Sequence, residues 1–279
     1  MPPHVGGLLV SAKGLGEKME KDSILSDGGG VQSTFMIFGV WSGFLPVPGK
    51  IFHSDMGITE RYLKEYRENV SMPMIRDICE RYGTVYVESK KDFQASVEKA
   101  VITPFWYRND MGKSSLVTNR SCTSNFKVIP ANKEIAYRAW GKMWLGITTD
   151  EKERVRPPQK LTNGRMRDNW YPLIELGLTR GNCITLLKDC GVQVPQKSAC
   201  DICPFSSKKR LIERLANDET LYPRIKHIEA CWHKREKDEH KFLTVFLEGL
   251  PTQEQAKQML GAQGENVDNS GNCGVCEFS

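Results

Sequence analysis

The chain has 279 residues, of which 39% are hydrophobic and 26% charged, ordinary proportions for a globular protein long enough to bury a full α/β core. No apolar run reaches the ~18 residues of a membrane span, and the opening MPPHVGGLLVSAKGLGEKMEK lacks the basic-then-apolar pattern of a secretory signal, so a cytoplasmic protein without membrane partners is expected. A formal net charge of +5 favours phosphate-bearing partners without identifying one.

Residues 1–21 carry glycine pairs and no clear period, and read as a lead-in. Ser23-Ile24-Leu25-Ser26 is a short apolar strand broken by the triplet Gly28-Gly29-Gly30, and Val31 to Trp41 is then an apolar, buried helix. Ile51-Phe52-His53-Ser54 is a second strand ending at Asp55. Thr59 caps a helix through about Val70, Met74 to Tyr82 continues as helix, and Thr84 to Val87 is a third strand. Residues 90–140 are harder to read; Lys127 to Pro130 and a helix from Asn132 to Trp140 stand out. Met143 to Thr148 reads as a buried strand. Thr179 caps a helix from Arg180 to Asp189, and Ser207 to about Leu250 reads as a charged helical tail. Alternating strands and helices predict a parallel sheet covered on both faces, a three-layer α/β fold. The expected boundaries are a lead-in 1–21, a nucleotide-binding domain 22–206, and a helical extension with a cysteine-containing tail 207–279.

A strand, then glycines, then a helix opening with Ser33-Thr34 is a device for holding phosphate. Glycines let the backbone curl around the anion, and the helix N-terminus offers unpaired N–H groups at its positive end. It is not a Walker loop, since no Gly-Lys-Ser/Thr follows the glycines. A β-carbon at Gly29 is expected to block the phosphate.

The stretch Ile24-Leu25-Ser26-Asp27-Gly28-Gly29-Gly30-Val31-Gln32-Ser33-Thr34 resembles the PP-loop of the phosphoadenosine-phosphosulfate-reductase-like branch of the PP-loop ATP pyrophosphatases (adenine nucleotide alpha hydrolase-like fold). The likeness continues in order through about residue 207. Ile51 to Gly57 is similar to the strand and Asp-Thr-Gly turn of that branch, with Met56 in place of threonine. Cys122-Thr123 through Lys127-Val128-Ile129-Pro130, Gly146-Ile147-Thr148-Thr149-Asp150-Glu151 with Arg154, Trp170-Tyr171-Pro172-Leu173, and Lys197 to Phe205 complete the set.

The resemblance implies that Ser26, Gly28, Gly29, Gly30, Gln32, Ser33 and Thr34 surround the phosphates of ATP with Mg, with Asp55 beside the nucleotide. Arg154 could pair with phosphate through its fork, or be a surface arginine in a charged run. It also implies the chemistry: adenylation of a substrate oxygen with release of pyrophosphate, then displacement of AMP by a nucleophile. Sulfur transfer leads, as in the PP-loop enzyme of DNA phosphorothioation or in tRNA thiolation, with DNA or tRNA as acceptor and a donor such as a cysteine desulfurase. Sulfonucleotide reduction with sulfite release, and a non-catalytic nucleotide-binding module, are the alternatives.

Nine cysteines are many for a reducing compartment, and two CxxC pairs with an odd total point to metal or redox chemistry rather than disulfides. Cys200-x-x-Cys203 can grip one metal from a single turn. The resemblance adds Cys122, and Cys183 is taken as the fourth ligand, with Cys190 as its substitute; four thiolates suit a 4Fe-4S cluster, and zinc is the rival. Cys273-x-x-Cys276 is a second zinc knuckle, a sulfur-carrying tail with Cys273 as the candidate nucleophile, or a disordered tail with incidental thiols. Cys79 reads as core. His227, Cys231 and His233 share a charged, solvated region where structural or surface roles are favoured, and His53 either lines the nucleotide site or packs in the core.

Overall fold

The computed structural model describes residues 19–57, 61–98, 105–117, 121–135, 140–161, 164–196, 200, 202–235, 241–246 and 248–261. Along the chain these form β1 (Met19–Asp27), α1 (Val31–Trp41), β2 (Val47–Asp55), α2 (Arg61–Tyr66), a π-helical stretch Arg67–Ser71, α3 (Met72–Tyr82) and β3 (Val85–Lys90). There follow α4 (Phe93–Glu98), the hairpin β4 (Phe105–Asn109) and β5 (Ser114–Val117), α5 (Ser121–Thr123), a second π-helical stretch Ser124–Val128, α6 (Ile129–Ile135) and β6 (Trp140–Trp144). The chain continues through the 3-10 turn Thr149–Arg154, β7 (Gln159–Lys160), β8 (Met166–Trp170), α7 (Pro172–Glu175), α8 (Arg180–Asp189), α9 (Lys208–Asn217), α10 (Leu221–His233), β9 (Lys241–Thr244) and α11 (Gln253–Gly261).

Two compact units share the chain. The first takes the described residues of Met1–Asp55, Thr59–Lys91 and Phe126–Ser198; the second takes those of Met56–Ile58, Asp92–Asn125 and Ala199–Ser279.

The first unit is a six-stranded sheet in the order β3-β2-β1-β6-β8-β7. Its strands are parallel except β7, which pairs antiparallel with β8 at the edge. Side chains alternate across the sheet. Leu25 and Ile51 join the larger core with α1, while Ile24, Phe52 and Met143 meet Ala131 of α6 on the other face. A sheet covered on both faces needs apolar residues at successive positions, and Ile24-Leu25 and Ile51-Phe52 supply them.

Helix α1 is buried at every position from Val31 to Val40. Such a helix, apolar all round, belongs inside the molecule; it packs against α3 and α8. Phe35 and Phe38 are enclosed, and each contributes about 1.5–3 kcal/mol by leaving water. The predicted span of α1 agrees with the observed one, as does α8. There Thr179 caps the helix, its hydroxyl accepting the Asn182 N–H.

The second unit contains an antiparallel sheet β5-β4-β9. Helix α10 packs on it, with the Phe105 and Trp232 rings 5.4 Å apart. The buried Glu229 carboxylate of α10 accepts from Thr244 Oγ1 at 2.7 Å and Val245 N at 2.8 Å. The charged tail is therefore not continuous helix, because Lys241–Thr244 is a strand. Nor does helix run from Asn132 to Trp140, since Trp140 opens β6. Among the described residues no helix is long and apolar enough to cross a membrane.

Candidate functional site

The site begins where β1 ends. Gly29 has φ +67°, in the left-handed region, and an added Cβ would meet nothing within 4 Å. The glycine is thus required by the backbone rather than by crowding. Gly30 is the N-cap of α1; its N–H donates to Ser33 Oγ at 3.2 Å, and the Ser33 hydroxyl donates to Gly30 O at 3.1 Å. Gly28, Gly29, Gly30 and Ser26 are exposed or half-buried, whereas Thr34 is fully enclosed. Of the predicted loop contacts, Thr34 therefore lies inside the core, away from the loop's surface.

Beneath the loop stands Asp27, its side chain fully buried. Its Oδ1 accepts the Gly29 N–H at 2.9 Å, and its Oδ2 lies 3.3 Å from His53 Nδ1 and 3.6 Å from Arg67 Nε. The His53 ring nitrogen is also 3.0 Å from Asp27 O. Burial by itself raises the Asp27 pKa. The hydrogen bond and charge of His53, the charge of Arg67 and the Gly29 N–H outweigh that and bring it down to about 2. Strand register builds this group: Asp27 pairs with His53, and His53 with Glu88. The three side chains therefore share one face across β1, β2 and β3. Arg67, from the π-helical stretch, spans the row, hydrogen-bonding Tyr86 Oη and lying 3.3 Å from Glu88 Oε1. Neighbouring charge from Glu88 and Asp27 adds to burial in pushing the Tyr86 pKa up, against Arg67.

A second polar group closes the mouth of the loop. Gln32, in the first turn of α1, donates to Glu151 Oε2 at 3.1 Å, and Glu151 Oε1 accepts from Arg154 Nη1 at 2.8 Å. Arg180 Nη1 reaches Gln32 Oε1 at 3.5 Å, and the Arg180 N–H is held by Asp150 at 3.1 Å. Close approach of the two segments depends on Gly146, where a Cβ would stand 2.9 Å from Gln32 Cβ. Glu151 thus links Gln32 to Arg154. Asp55 ends β2, half-buried, at the same carboxyl edge. This edge is where open parallel sheets hold ligands, and its guanidinium groups and loop N–H groups suit an anion.

Asp27, Arg67, Tyr86, Glu88 and Arg180 were not singled out from sequence. Asp27 alone had a signal: an acid inside a glycine loop, with a histidine at the end of the next strand.

The four cysteines of the predicted ligand set fall in both units. Cys203 N donates to Cys200 O at 3.1 Å, closing a turn, and Arg214 Nη1 donates to the same carbonyl at 2.9 Å. Both thiols are half-buried in the second unit, as is Cys122 on α5. Cys183 instead belongs to the apolar core of the first unit, with no exposed surface, among Leu178, Leu187 and their neighbours. Burial pushes its thiol up to about 12. Among the described residues no three His, Cys, Asp or Glu side chains gather as a metal site, and none of the seven described cysteines is in a disulfide. Cys190 and Cys79 pack against the same core, with thiol pKa values raised by burial. His227 Nε2 and Cys231 Sγ are 3.8 Å apart on α10. Cys273 and Cys276 lie outside the described residues.

No protein-family model and no curated protein matches the chain. Among solved structures it is similar to a phosphoadenylyl-sulfate reductase from Candida auris in a phosphate complex, at 9% identity over 62% of this chain and 74% of that one, with a TM-score of 0.35. It is also similar to the U34-tRNA thiolase NcsA from Methanococcus maripaludis with its 4Fe-4S cluster, at 13% identity over 93% of this chain and 87% of that one, with a TM-score of 0.39.

Proposed function

We propose that the protein is an ATP-using enzyme that activates an acceptor by adenylation and then transfers sulfur to it. The observation that carries this reading is the loop between β1 and α1. There, a left-handed Gly29 and the N-terminus of α1 face a mouth lined by Gln32, Arg154 and Arg180. An acceptor oxygen attacks the α-phosphorus of ATP; the bond to the β-phosphate oxygen breaks and pyrophosphate leaves. A hydrosulfide sulfur then attacks the activated carbon of a base, or the activated phosphorus of a phosphodiester, and AMP carries away the oxygen.

In this scheme the chain's own residues position rather than react. The loop N–H groups and the α1 N-terminus hold the departing pyrophosphate, Arg154 and Arg180 balance its charge, and Asp27 fixes the loop from below. Magnesium on the phosphates would add further charge neutralisation, and Asp55, at the end of β2, would be the side chain to hold it.

The test is to incubate the full chain, prepared without air, with ATP labelled at the α- and γ-phosphates, a sulfide source, and tRNA or DNA in separate reactions. AMP and pyrophosphate formed only with an acceptor support the reading. ADP and phosphate would refute it, and sulfite released from a sulfonucleotide in the absence of ATP turnover would replace it with reduction.

A further inference from the structure

Arg167, the second residue of β8, is 9% exposed. It faces α6, where its Nη1 donates to Asn132 Oδ1 at 2.7 Å, while Nη2 donates to Gln159 Oε1 of β7 at 2.6 Å. Both acceptors are neutral. Among the described residues Arg167 has no carboxylate partner, and its Nε is buried without a hydrogen bond. Arginine is rarely buried unless paired with charge, because a guanidinium stripped of water without an anion is strongly disfavoured. Burial accordingly lowers its pKa.

The two amides sharpen the pattern. Each turns its oxygen to the guanidinium, so each turns its NH2 away. Neither NH2 has an acceptor among the described residues, and both side chains are half-buried, within reach of solvent. One buried cation and two outward amide donors, with no acid among them, describe a site one negative charge short.

We propose that Arg167, Asn132 and Gln159 form a second anion site that takes a single oxyanion group (carboxylate, phosphate or sulfate). It is separate from the glycine loop. Arg167 pairs with Gly141, next to Lys142, which is level with Ser23 of β1. Ser23 lies four residues before Asp27, or about 13 Å along the strand. The site therefore stands toward the opposite end of the sheet from the loop, on the α6 face. The free Nε–H and the remaining Nη hydrogens offer the side-on fork that matches two oxygens of one anion, with the two amide NH2 groups as further donors nearby.

The experiment is thermal unfolding of the full chain in sodium phosphate, sulfate or acetate, each against sodium chloride of equal ionic strength. Five forms are compared: wild type, Gly29→Val, Arg167→Met, the double variant of these two, and Asn132→Asp. Millimolar oxyanion is expected to raise the midpoint of wild type and of Gly29→Val by about 3 °C, the second result separating this site from the loop. Arg167→Met should lose the part of the response that Gly29→Val retains, and the double variant should lose it all. Asn132→Asp supplies an internal carboxylate and should melt higher in chloride, with the same part of the response gone; it decides the matter if Arg167→Met does not fold. A response to phosphate and sulfate but not acetate assigns the site to tetrahedral anions, and the converse to carboxylates. No oxyanion effect in wild type, or an equal effect in Arg167→Met or Asn132→Asp, overturns the proposal.

Discussion

The carboxylate of Asp27 holds the backbone N–H of Gly29 at 2.9 Å, so the residue that ends β1 also sets the left-handed turn of the loop that follows. The loop is thereby preorganised from inside the fold, by an acid that lies against His53 and whose charge Arg67 balances.

Asp27 is expected to contribute to stability only while ionised. Its folded pKa of about 2 lies below the ordinary 3.8, so the contribution is present above pH 4 and is lost as pH falls through about 2. The shift corresponds to roughly 2 kcal/mol. Chemical denaturation of wild type and Asp27→Asn should therefore show a gap at pH 6 that narrows toward pH 2. A constant gap would mean that the carboxylate's charge is not what matters.

Gly29→Val should weaken ATP binding at least tenfold while the protein stays folded by circular dichroism. The new side chain meets no neighbour within 4 Å, so the penalty arises from the left-handed backbone, about 1–2 kcal/mol, and from the altered direction of the loop N–H groups. Isothermal titration checks it; wild-type affinity in a folded variant would remove the loop from the site.

Gly146→Ala tests the mouth. Its methyl group would sit 2.9 Å from Gln32 Cβ and 3.2 Å from Gln32 C, forcing α1 and the segment after β6 apart. Overpacking of this kind costs about 1–3 kcal/mol, and the Gln32–Glu151–Arg154 chain should open with it. Both the melting temperature and nucleotide affinity should fall. Loss of stability with unchanged affinity would show that the chain does not serve the ligand.

Cys183→Ser and Cys200→Ser should behave oppositely. A hydroxyl in the apolar core at Cys183 lacks a partner and should destabilise by about 1–3 kcal/mol, without changing the iron or zinc content of anaerobically prepared protein. Cys200→Ser and Cys203→Ser should leave stability nearly intact and lower any bound metal. Metal lost from the Cys183 variant would restore it to the ligand set.

Some of this was legible in the sequence because the signal was local. The glycine triplet before an apolar run marked α1, and Thr179 with Asn182 marked α8. The strand Lys241–Thr244 was hidden because its pairing partner, β4, lies more than 130 residues away and its flanks are charged. The Asp27–His53–Glu88 row was hidden for a related reason. It exists only through the register of three parallel strands, and Arg67 joins it from a π-helical stretch that helical periodicity does not mark. The core packing of Cys183 was not legible either: a cysteine near a helix start looks the same in sequence whether or not its thiol is enclosed.

The position of β1 between β2 and β6 also sets an order of events during synthesis. The loop's left flank can form once residue 55 has emerged, but Ser23 and Leu25 find their other neighbours only at Lys142 and Trp144, and Glu151 and Arg154 follow. Such distant pairings form slowly. A nascent chain shorter than about 155 residues thus carries the glycines without their mouth, and the proposed nucleotide site is incomplete until the middle of the chain has been made and docked.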